Sequence, residues 1–362
     1  MPGTTLAANT SGCYKAPDMT HTKVVIIGAG PIGLELAAAF KHAGVDYLQF
    51  EAGQIGQTIS WFPKMTRFFS SPDRIAISGV PLQTADQSKA TREEYLAYLR
   101  GIVAHFDLKV HTYERVTEIQ QKDEGFEVHT NRQGTPAVCW APHLVLAVGD
   151  MAHPRLLHIP GEDLEHVDHY FDEPHRYFQK KVLIVGGKNS AVEAAIRCHR
   201  ANVDVAISYR HDRFDPDRVK YWLLPEIQML IKTGGVGFYP DTVPKAITAN
   251  QVQLQPVGPT HGDPVWVDAD FVLLLTGYVM DQTLFKMIDV ELVGENQSPS
   301  HNPQTMQTNV PGVYVAGTAV AGTQKTFKLF IENCHRHVRR IVAAITGAPP
   351  PAESGDTGQP ED

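Results

Sequence analysis

Two stretches of the chain share one pattern of hydrophobic and polar positions. Residues 23–40, KVVIIGAGPIGLELAAAF, and residues 181–195, KVLIVGGKNSAVEAA, each begin with four apolar residues after a lysine, pass through glycines and continue with apolar residues at helical spacing. The apolar run predicts a buried parallel strand, and the later period predicts a helix packed on the sheet. This strand, glycine turn and helix is the arrangement that binds a dinucleotide pyrophosphate.

The pattern between these stretches predicts scaffold. Residues 91–106 carry apolar side chains at helical spacing, and Thr91 with Glu94 matches the signature of a capping box. Residues 109–130 and 143–149 alternate or are continuously apolar between turn residues, so strands are predicted there.

The later pattern predicts how the chain divides. Residues 250–278 suggest a hairpin and a buried strand that return the chain to its first half, and residues 311–345 suggest a strand, a glycine-rich turn and a long amphipathic helix. The predicted fold class is α/β, with two Rossmann-like nucleotide-binding domains, the second inserted into the first. The predicted divisions are a loose extension at 1–20, a first domain at 21–152 and 266–348, a second domain at 153–265 and a disordered tail at 349–362.

Charge and composition limit the classes of molecule that the protein is expected to bind. The chain of 362 residues carries 32 basic and 40 acidic residues, a net charge of −8, without a basic run, which argues against nucleic acid and membrane surfaces. No apolar run approaches the ~20 residues that cross a bilayer, and residues 1–20 lack the apolar segment of a secretory signal. We expect a cytoplasmic protein that acts on a small molecule. Whether the protein forms a homo-oligomer stays an open question at this point.

The cysteines exclude two kinds of site. They are far apart and form no C-x-x-C, which argues against a zinc ribbon and a dithiol motif, and we expect no metal. The four are Cys13, Cys139, Cys198 and Cys334.

The first glycine turn matches the dinucleotide fingerprint in full. Gly28, Gly30 and Gly33 occupy its three positions, with Pro31 inside the turn. The next predicted strand ends at Glu51, about twenty residues on, where an acid binds a ribose hydroxyl. This site is therefore predicted to take a nucleotide with a free 2′-hydroxyl, as FAD or NAD has.

The second turn departs from the fingerprint at one position. Gly186 and Ala191 occupy the first and third positions, but Lys188 replaces the middle glycine. Two interpretations stay open: the turn opens and the lysine projects toward solvent or phosphate, or the unit is a degenerate relic of the fold.

The strand after the second turn ends in cations instead of an acid. Arg210 is followed by His211 and Arg213, and cations suit a 2′-phosphate, so NADPH is favoured over NADH. Two sites with opposite ribose chemistry indicate an electron-transfer chain, in which NADPH in the second domain gives hydride to FAD in the first.

These motifs together resemble the bacillithiol disulfide reductases, thioredoxin-reductase-like flavoproteins that lack the C-x-x-C dithiol. The resemblance covers most of residues 22–347. It rests on GAGPIG, FFSSPDRIAISGVPL, HYFDEPHRYF, IVGGKNSAVEAA, VKYWLLPEI, GYVMD, GVYVAGTAVAG and FIEN, in that order.

The resemblance implies FAD, NADPH and a low-molecular-weight thiol disulfide as acceptor. A helix starting around residues 327–333 would bring its positive end toward the flavin. The implied FAD residues are Gly28, Gly30, Pro31, Gly33, Glu51 and Gly317. The implied NADPH residues are Gly186, Gly187, Asn189, Ser190, Ala191 and Arg210.

The chain breaks the resemblance at Ile32, where family members often have a cysteine. Isoleucine cannot form a mixed disulfide, so either the flavin acts on the disulfide directly, another cysteine substitutes, or the acceptor is not a disulfide. Cys334 is the one substitute worth naming, although a lone helical cysteine is more often a buried filler.

Two other functions stay open. An oxygen-using flavoenzyme, either a monooxygenase or an NADPH oxidase, is one. The F-x-G-x-x-x-H spacing of flavin monooxygenases fails here, since His169 and Phe171 stand where its phenylalanine and glycine belong before His175. A redox sensor that binds flavin and NADPH without turnover is the other. Trp61, Phe68 and Phe69 are either a wall for the flavin ring or core.

Overall fold

A computed structural model of the protein describes residues 19–258, 262–325 and 328–349. Cys13, most of the predicted extension and nearly all of the predicted tail lie outside these residues. Two five-stranded parallel sheets dominate the described part. In spatial order the first sheet contains Val313–Val315, His143–Leu146, Val24–Ile27, Tyr47–Glu51 and Val110–Thr112. The second contains Val167–Asp168, Phe271–Leu274, Lys181–Val185, Asp204–Ser208 and Gly237–Tyr239.

Each sheet has a switch point at which its strand order reverses. In the first sheet it lies between Val24–Ile27 and His143–Leu146, and in the second between Lys181–Val185 and Phe271–Leu274. Open parallel sheets bind ligands beyond the carboxyl ends of the strands at this point. Both predicted glycine turns begin there.

One predicted division is wrong. The strand Phe271–Leu274 pairs with Lys181–Val185 inside the second sheet, whereas the sequence placed the return to the first domain at residue 266. Its apolar run identifies a buried strand but carries no information about which sheet it joins, because both sheets bury their strands on two faces. The chain therefore leaves the second sheet after Leu274.

Smaller sheets complete the architecture. A four-stranded sheet contains Thr20–His21, Thr135–Ala141, Gly125–Arg132 and Glu114–Lys122, so Thr20, assigned to the extension, belongs to a strand. A three-stranded antiparallel sheet contains Thr242–Ile247, Gln251–Pro256 and Val265–Asp268. Two-stranded pairs join His153–Pro154 with Tyr278–Val279, and Leu292–Val293 with Ser298–Pro299.

Helices pack on both parallel sheets. The α-helices are Pro31–His42, Gln57–Ser60, Pro72–Ile75, Arg92–His105, Asn189–Arg200, Leu224–Lys232, Thr283–Met287 and His335–Thr346. Short 3₁₀ turns are Pro174–Tyr177, Gly317–Ala321 and Ile331–Asn333. The predicted capping box is confirmed, since Thr91 and Glu94 bond reciprocally at the start of Arg92–His105. Across the described ranges, no helix combines the length and apolarity needed to span a bilayer.

The last helix begins later than predicted. One 3₁₀ turn, Ile331–Asn333, precedes it, and the α-helix runs over His335–Thr346, while Phe327 lies outside the described residues. It packs against Pro31–His42, the helix that follows the first glycine turn. Its buried face includes His337, whose Nδ1 has no hydrogen-bond partner.

His337 makes the fold sensitive to acid. Burial lowers the pKa of His337 from 6.5 to about 3, helped by the nearby cations Arg336 and Arg340. Below pH 6.5 the imidazole is protonated in the unfolded chain but stays neutral in the folded chain. The free energy of unfolding therefore decreases as the pH is lowered, by up to about 1.4 kcal/mol per pH unit. We expect His337→Leu to lose less stability than wild type when the pH is lowered from 7.5 to 5, measured by urea unfolding at both pH values. The same substitution at the exposed His105 should leave the slope unchanged.

Candidate functional site

A single cavity of about 2220 Å³ joins the two glycine turns. It contacts the carboxyl ends of strands in both parallel sheets, at Gly28 and Ala147 in the first and at Gly186 and Leu275 in the second. Ordinary small-molecule pockets span about 300–1,000 Å³. The cavity is large enough for two nucleotides that meet.

The three fingerprint glycines of the first turn have different surroundings. Gly28 has a φ of +111°, and a Cβ there would lie 2.4 Å from the Ala147 carbonyl oxygen. A Cβ on Gly33 would lie 2.3 Å from the Gly28 oxygen, so the helix packs directly on the strand end. Gly30 has nothing within 4 Å of a built Cβ and lines the cavity. The space beside Gly30 is where a pyrophosphate can approach the backbone.

Glu51 is held at the edge of this turn. Its two carboxylate oxygens accept backbone N–H bonds from Ala29 and Gly53, each at 2.8 Å. Both bonds fix the carboxylate beside the glycine turn, and Glu51, like Pro31, lines the cavity. A carboxylate oxygen keeps a lone pair for a ribose hydroxyl after accepting one bond.

The cavity lining also contains a buried pair that sequence reasoning missed. Asp150 is 6% exposed, and its Oδ2 accepts a 2.9 Å bond from Gln324 Nε2. Gln324 Oε1 accepts the backbone N–H groups of Lys328 and Leu329, so the pair fixes these two residues beside the cavity, which Gln324, Leu329 and Gly317 line. Burial raises the pKa of Asp150, against the hydrogen bonds that favour its charge. The partners are 174 residues apart, so no local pattern could reveal them.

The second turn accommodates a lysine without strain. Gly186, with a φ of +147°, makes the close approach, since a Cβ there would lie 2.5 Å from the Leu275 oxygen. Lys188 has φ −110° and ψ −174°, an extended conformation that any residue adopts. Its Nζ donates a 2.7 Å bond to the Lys325 carbonyl oxygen across the cavity. Burial, followed by the fields of Arg218 and Arg210, lowers the pKa of Lys188.

The other residues predicted around this turn have separate roles. Gly187, Asn189 and the exposed Ser190 line the cavity, and Asn189 Oδ1 accepts the backbone N–H of Lys220 at 2.9 Å. A Cβ on Gly187 would meet the ring of Tyr209 at 2.3 Å. Ala191 is 1% exposed and packs under Gly186, outside the cavity lining, so it supports the turn instead of contacting a ligand.

Of the two arginines predicted to bind the 2′-phosphate, one lines the cavity and the other does not. Arg210 lines the cavity, whereas Arg213 does not and its side chain is 85% exposed beside Asp212. Arg218, which sequence reasoning did not single out, lines the cavity and pairs with Asp215 at 3.0 Å. Arg218 is farther along the chain from Ser208 than Arg213, so proximity in sequence to the strand end was a poor guide to which arginine lines the cavity.

The three aromatic residues divide between cavity wall and core. Trp61, Phe68 and Phe69 all line the cavity. Phe68 also packs against the buried Tyr95 at 4.6 Å between ring centroids, so it is part of the core. Trp61 is 37% exposed and Phe69 contacts Trp222, so these two are cavity wall.

Ile32, at the family cysteine position, lines the cavity, and its Cβ would lie 3.6 Å from a Cβ built on Gly317. The described cysteines lie elsewhere. Cys139, Cys198 and Cys334 are buried and none lines the cavity. Burial raises the pKa of the Cys139 and Cys198 thiols to about 12, and that of Cys334 still more strongly. These thiols are kept protonated and out of reach of a ligand.

We expect Cys334→Ala to leave reduction of the bound flavin by the nicotinamide cofactor and turnover of a disulfide unchanged. Cys334 is 0% exposed and its raised pKa keeps it a thiol, whereas the nucleophile in disulfide exchange is the thiolate. A cost in thermal stability is expected, because the change leaves a small cavity. Loss of disulfide turnover alone, with flavin reduction intact, would show that Cys334 takes part.

The geometry fits two nucleotide cofactors. The open backbone at Gly30 with Glu51, and the second turn with its cations, each provide the surroundings that a dinucleotide needs. In the described part of the chain, no group of three or more His, Cys, Asp or Glu side chains could hold a metal ion.

Comparisons with known proteins agree with this geometry. Residues 25–317 match the family described as pyridine nucleotide-disulphide oxidoreductase. The chain is 34% identical over 328 residues to bacilliredoxin reductase Bdr of Bacillus subtilis, covering 90% of this chain and 98% of that protein. It is 32% identical to the solved bacillithiol disulfide reductase Bdr of Bacillus cereus, with a TM-score of 0.86, covering 91% and 100% of the two chains.

A more distant likeness shows the fold. The thioredoxin reductase of T. acidophilum is 18% identical, with a TM-score of 0.70 over 91% of this chain and 99% of that one. The fold is thus thioredoxin-reductase-like, and the family combines a flavin with NAD(P)H. The resemblance to the bacillithiol disulfide reductases is confirmed, and the chain is an enzyme of the pyridine nucleotide-disulphide oxidoreductase family.

Proposed function

We propose that the protein is an NADPH-dependent FAD enzyme that reduces a low-molecular-weight thiol disulfide, with bacillithiol disulfide as the favoured acceptor. The balanced reaction is NADPH + H⁺ + RSSR → NADP⁺ + 2 RSH. One observation carries the proposal: two glycine turns of the dinucleotide-binding type open into one cavity, so a donor and a second cofactor can meet. The named activity of the Bacillus cereus neighbour supports the choice of acceptor.

FAD is assigned to the first site and supplies two-electron transfer between nicotinamide and acceptor when bound. Gly30 gives its pyrophosphate access to the backbone, and Glu51 accepts from its ribose. The cavity is also lined by Gly317, Asp150, Gln324 and Leu329. These residues are proposed to orient the cofactor.

NADPH is assigned to the second site. Lys188, Arg210 and Arg218 line the cavity around the second turn, and none of the strand-end residues from Ser208 to Arg210 is acidic. The chain is proposed to fold as two nucleotide domains, the second inserted into the first, with the crossing near residues 152 and 275. A cytoplasmic location stays a prediction.

The disulfide is proposed to react without a protein thiol. Ile32 occupies the family cysteine position, and no described cysteine reaches the cavity. The chain then contributes binding and orientation of the acceptor beside the flavin, while the two protons of the product thiols come from NADPH oxidation and solvent as the equation requires.

The proposal is tested by an anaerobic absorbance titration of the flavin-loaded protein. NADPH should bleach the oxidised flavin band, and bacillithiol disulfide should restore it with one disulfide consumed per NADPH. Prior alkylation with iodoacetamide should not change the result. Recovery by oxygen alone, with peroxide formed, would instead identify an NADPH oxidase, and no bleaching at all would indicate a sensor that does not turn over.

A further inference from the structure

Lys220 lies on the cavity wall between the helix after the second turn and the aromatic residue Phe69. Its backbone N–H donates to Asn189 Oδ1 at 2.9 Å, which fixes its loop to the helix after the second turn. Its ammonium lies 5.4 Å from the ring centroid of Phe69 and 5.9 Å from that of Trp222. Phe69 also lines the cavity and comes from a much earlier segment of the chain, so Lys220 brings two distant segments of the cavity wall together.

The charge of Lys220 is not neutralised by the protein. Within residues 19–258, 262–325 and 328–349, no carboxylate forms an ion pair with it, whereas Arg218 pairs with Asp215 and Lys188 donates to a backbone oxygen. Lys220 lines the cavity and is half-buried. Aromatic rings stabilise a cation without cancelling its field. The charge of Lys220 is therefore available to a negatively charged group of a ligand in the cavity.

The side chains around the Lys220 ammonium are aromatic, unlike the surroundings of a typical phosphate-binding cation. Phe69 and Trp222 contact each other at 5.7 Å, and Tyr221, 69% exposed, packs on Trp222 at 4.8 Å. The second turn has its own cations in Lys188 and Arg210, and the Lys220 ammonium is directed at the aromatic rings instead of that turn. A small organic anion with an apolar body fits a charge beside such rings.

We propose that Lys220 recognises a carboxylate of the acceptor and makes the enzyme selective for anionic disulfides. This inference rests on the proposed reduction of a disulfide. An acceptor must reach the flavin through this cavity, and Lys220 is a cavity-lining cation that aromatic rings flank and, among the described residues, no carboxylate pairs with. The Lys220 ammonium repels a cationic disulfide of the same size. Specificity then comes both from attraction of the anionic acceptor and from repulsion of the cationic one.

The test compares two small disulfides of opposite charge, the dianion 3,3′-dithiodipropionate and the dication cystamine, with bacillithiol disulfide as a third acceptor. Stopped-flow measurements follow reduction of the flavin by NADPH and its reoxidation by each disulfide. Lys220→Gln should slow reoxidation by dithiodipropionate and bacillithiol disulfide about tenfold, the effect of losing one hydrogen bond to a charged group. Cystamine should react no more slowly, NADPH reduction should be unchanged, and Lys220→Arg should retain the preference.

The control is Lys232→Gln, the same change at an exposed lysine that does not line the cavity. It should behave as wild type. If Lys220→Gln weakens NADPH binding instead, or slows all disulfides equally or none, the inference is overturned while disulfide reduction stands. If no disulfide reoxidises the wild-type flavin, the proposed function fails and the inference fails with it.

Discussion

Gly30→Val should yield a folded, colourless protein. Gly30 has ordinary backbone angles, φ −71° and ψ −179°, and no atom within 4 Å of a built Cβ, so the side chain fits the apoprotein without strain. It then occupies the space through which a pyrophosphate must approach the backbone. We expect the dissociation constant for FAD to rise at least about 100-fold, equivalent to about 2.8 kcal/mol. The measurement is the quenching of flavin fluorescence when the apoprotein is titrated with FAD.

Two further glycines separate loss of the cofactor from loss of the fold. Gly101, in the helix Arg92–His105, also has open space around a built Cβ, so Gly101→Val should keep the flavin. Gly33→Ala should destabilise the apoprotein by about 1–3 kcal/mol, since its Cβ would lie 2.3 Å from a backbone oxygen that cannot move freely. Wild-type FAD affinity in Gly30→Val would show that the first turn does not bind the pyrophosphate.

The sequence was informative wherever the chemistry is local. The strand, glycine turn and helix units lie within about twenty residues, and a capping box spans four, so their spacing predicts them directly. The structure adds reasons for individual positions: Gly33 is required by a backbone contact, and Lys188 is tolerated because its backbone is extended.

The missed features depend on contacts between distant segments. Asp150 meets Gln324 across 174 residues, and Lys188 reaches Lys325 across 137. The strand Phe271–Leu274 joins a sheet that its own apolar run cannot specify. In each case the deciding partner is supplied by the tertiary fold, so a single sequence contains no periodic signal for it.

Replacing Arg210 and Arg218 together by glutamine should remove the preference for NADPH over NADH. Both guanidinium groups line the cavity near the second turn, and each hydrogen bond to a charged group contributes about 1.5–3 kcal/mol. Because Arg210 is exposed and Arg218 is shared with Asp215, we expect the lower end of this range, with kcat/KM for NADPH falling about 10- to 100-fold. The value for NADH, which lacks the 2′-phosphate, should change little.

Arg213→Gln is the matched control, because this arginine is only a few residues away but does not line the cavity. It should retain the wild-type preference, and high salt should weaken NADPH binding in wild type and Arg213→Gln more than in the double variant. An equal loss for NADPH and NADH in the double variant would assign the two arginines to the pyrophosphate. A loss in Arg213→Gln alone would mean that the loop after Ser208 rearranges when the nucleotide binds, bringing the more distant arginine to the phosphate.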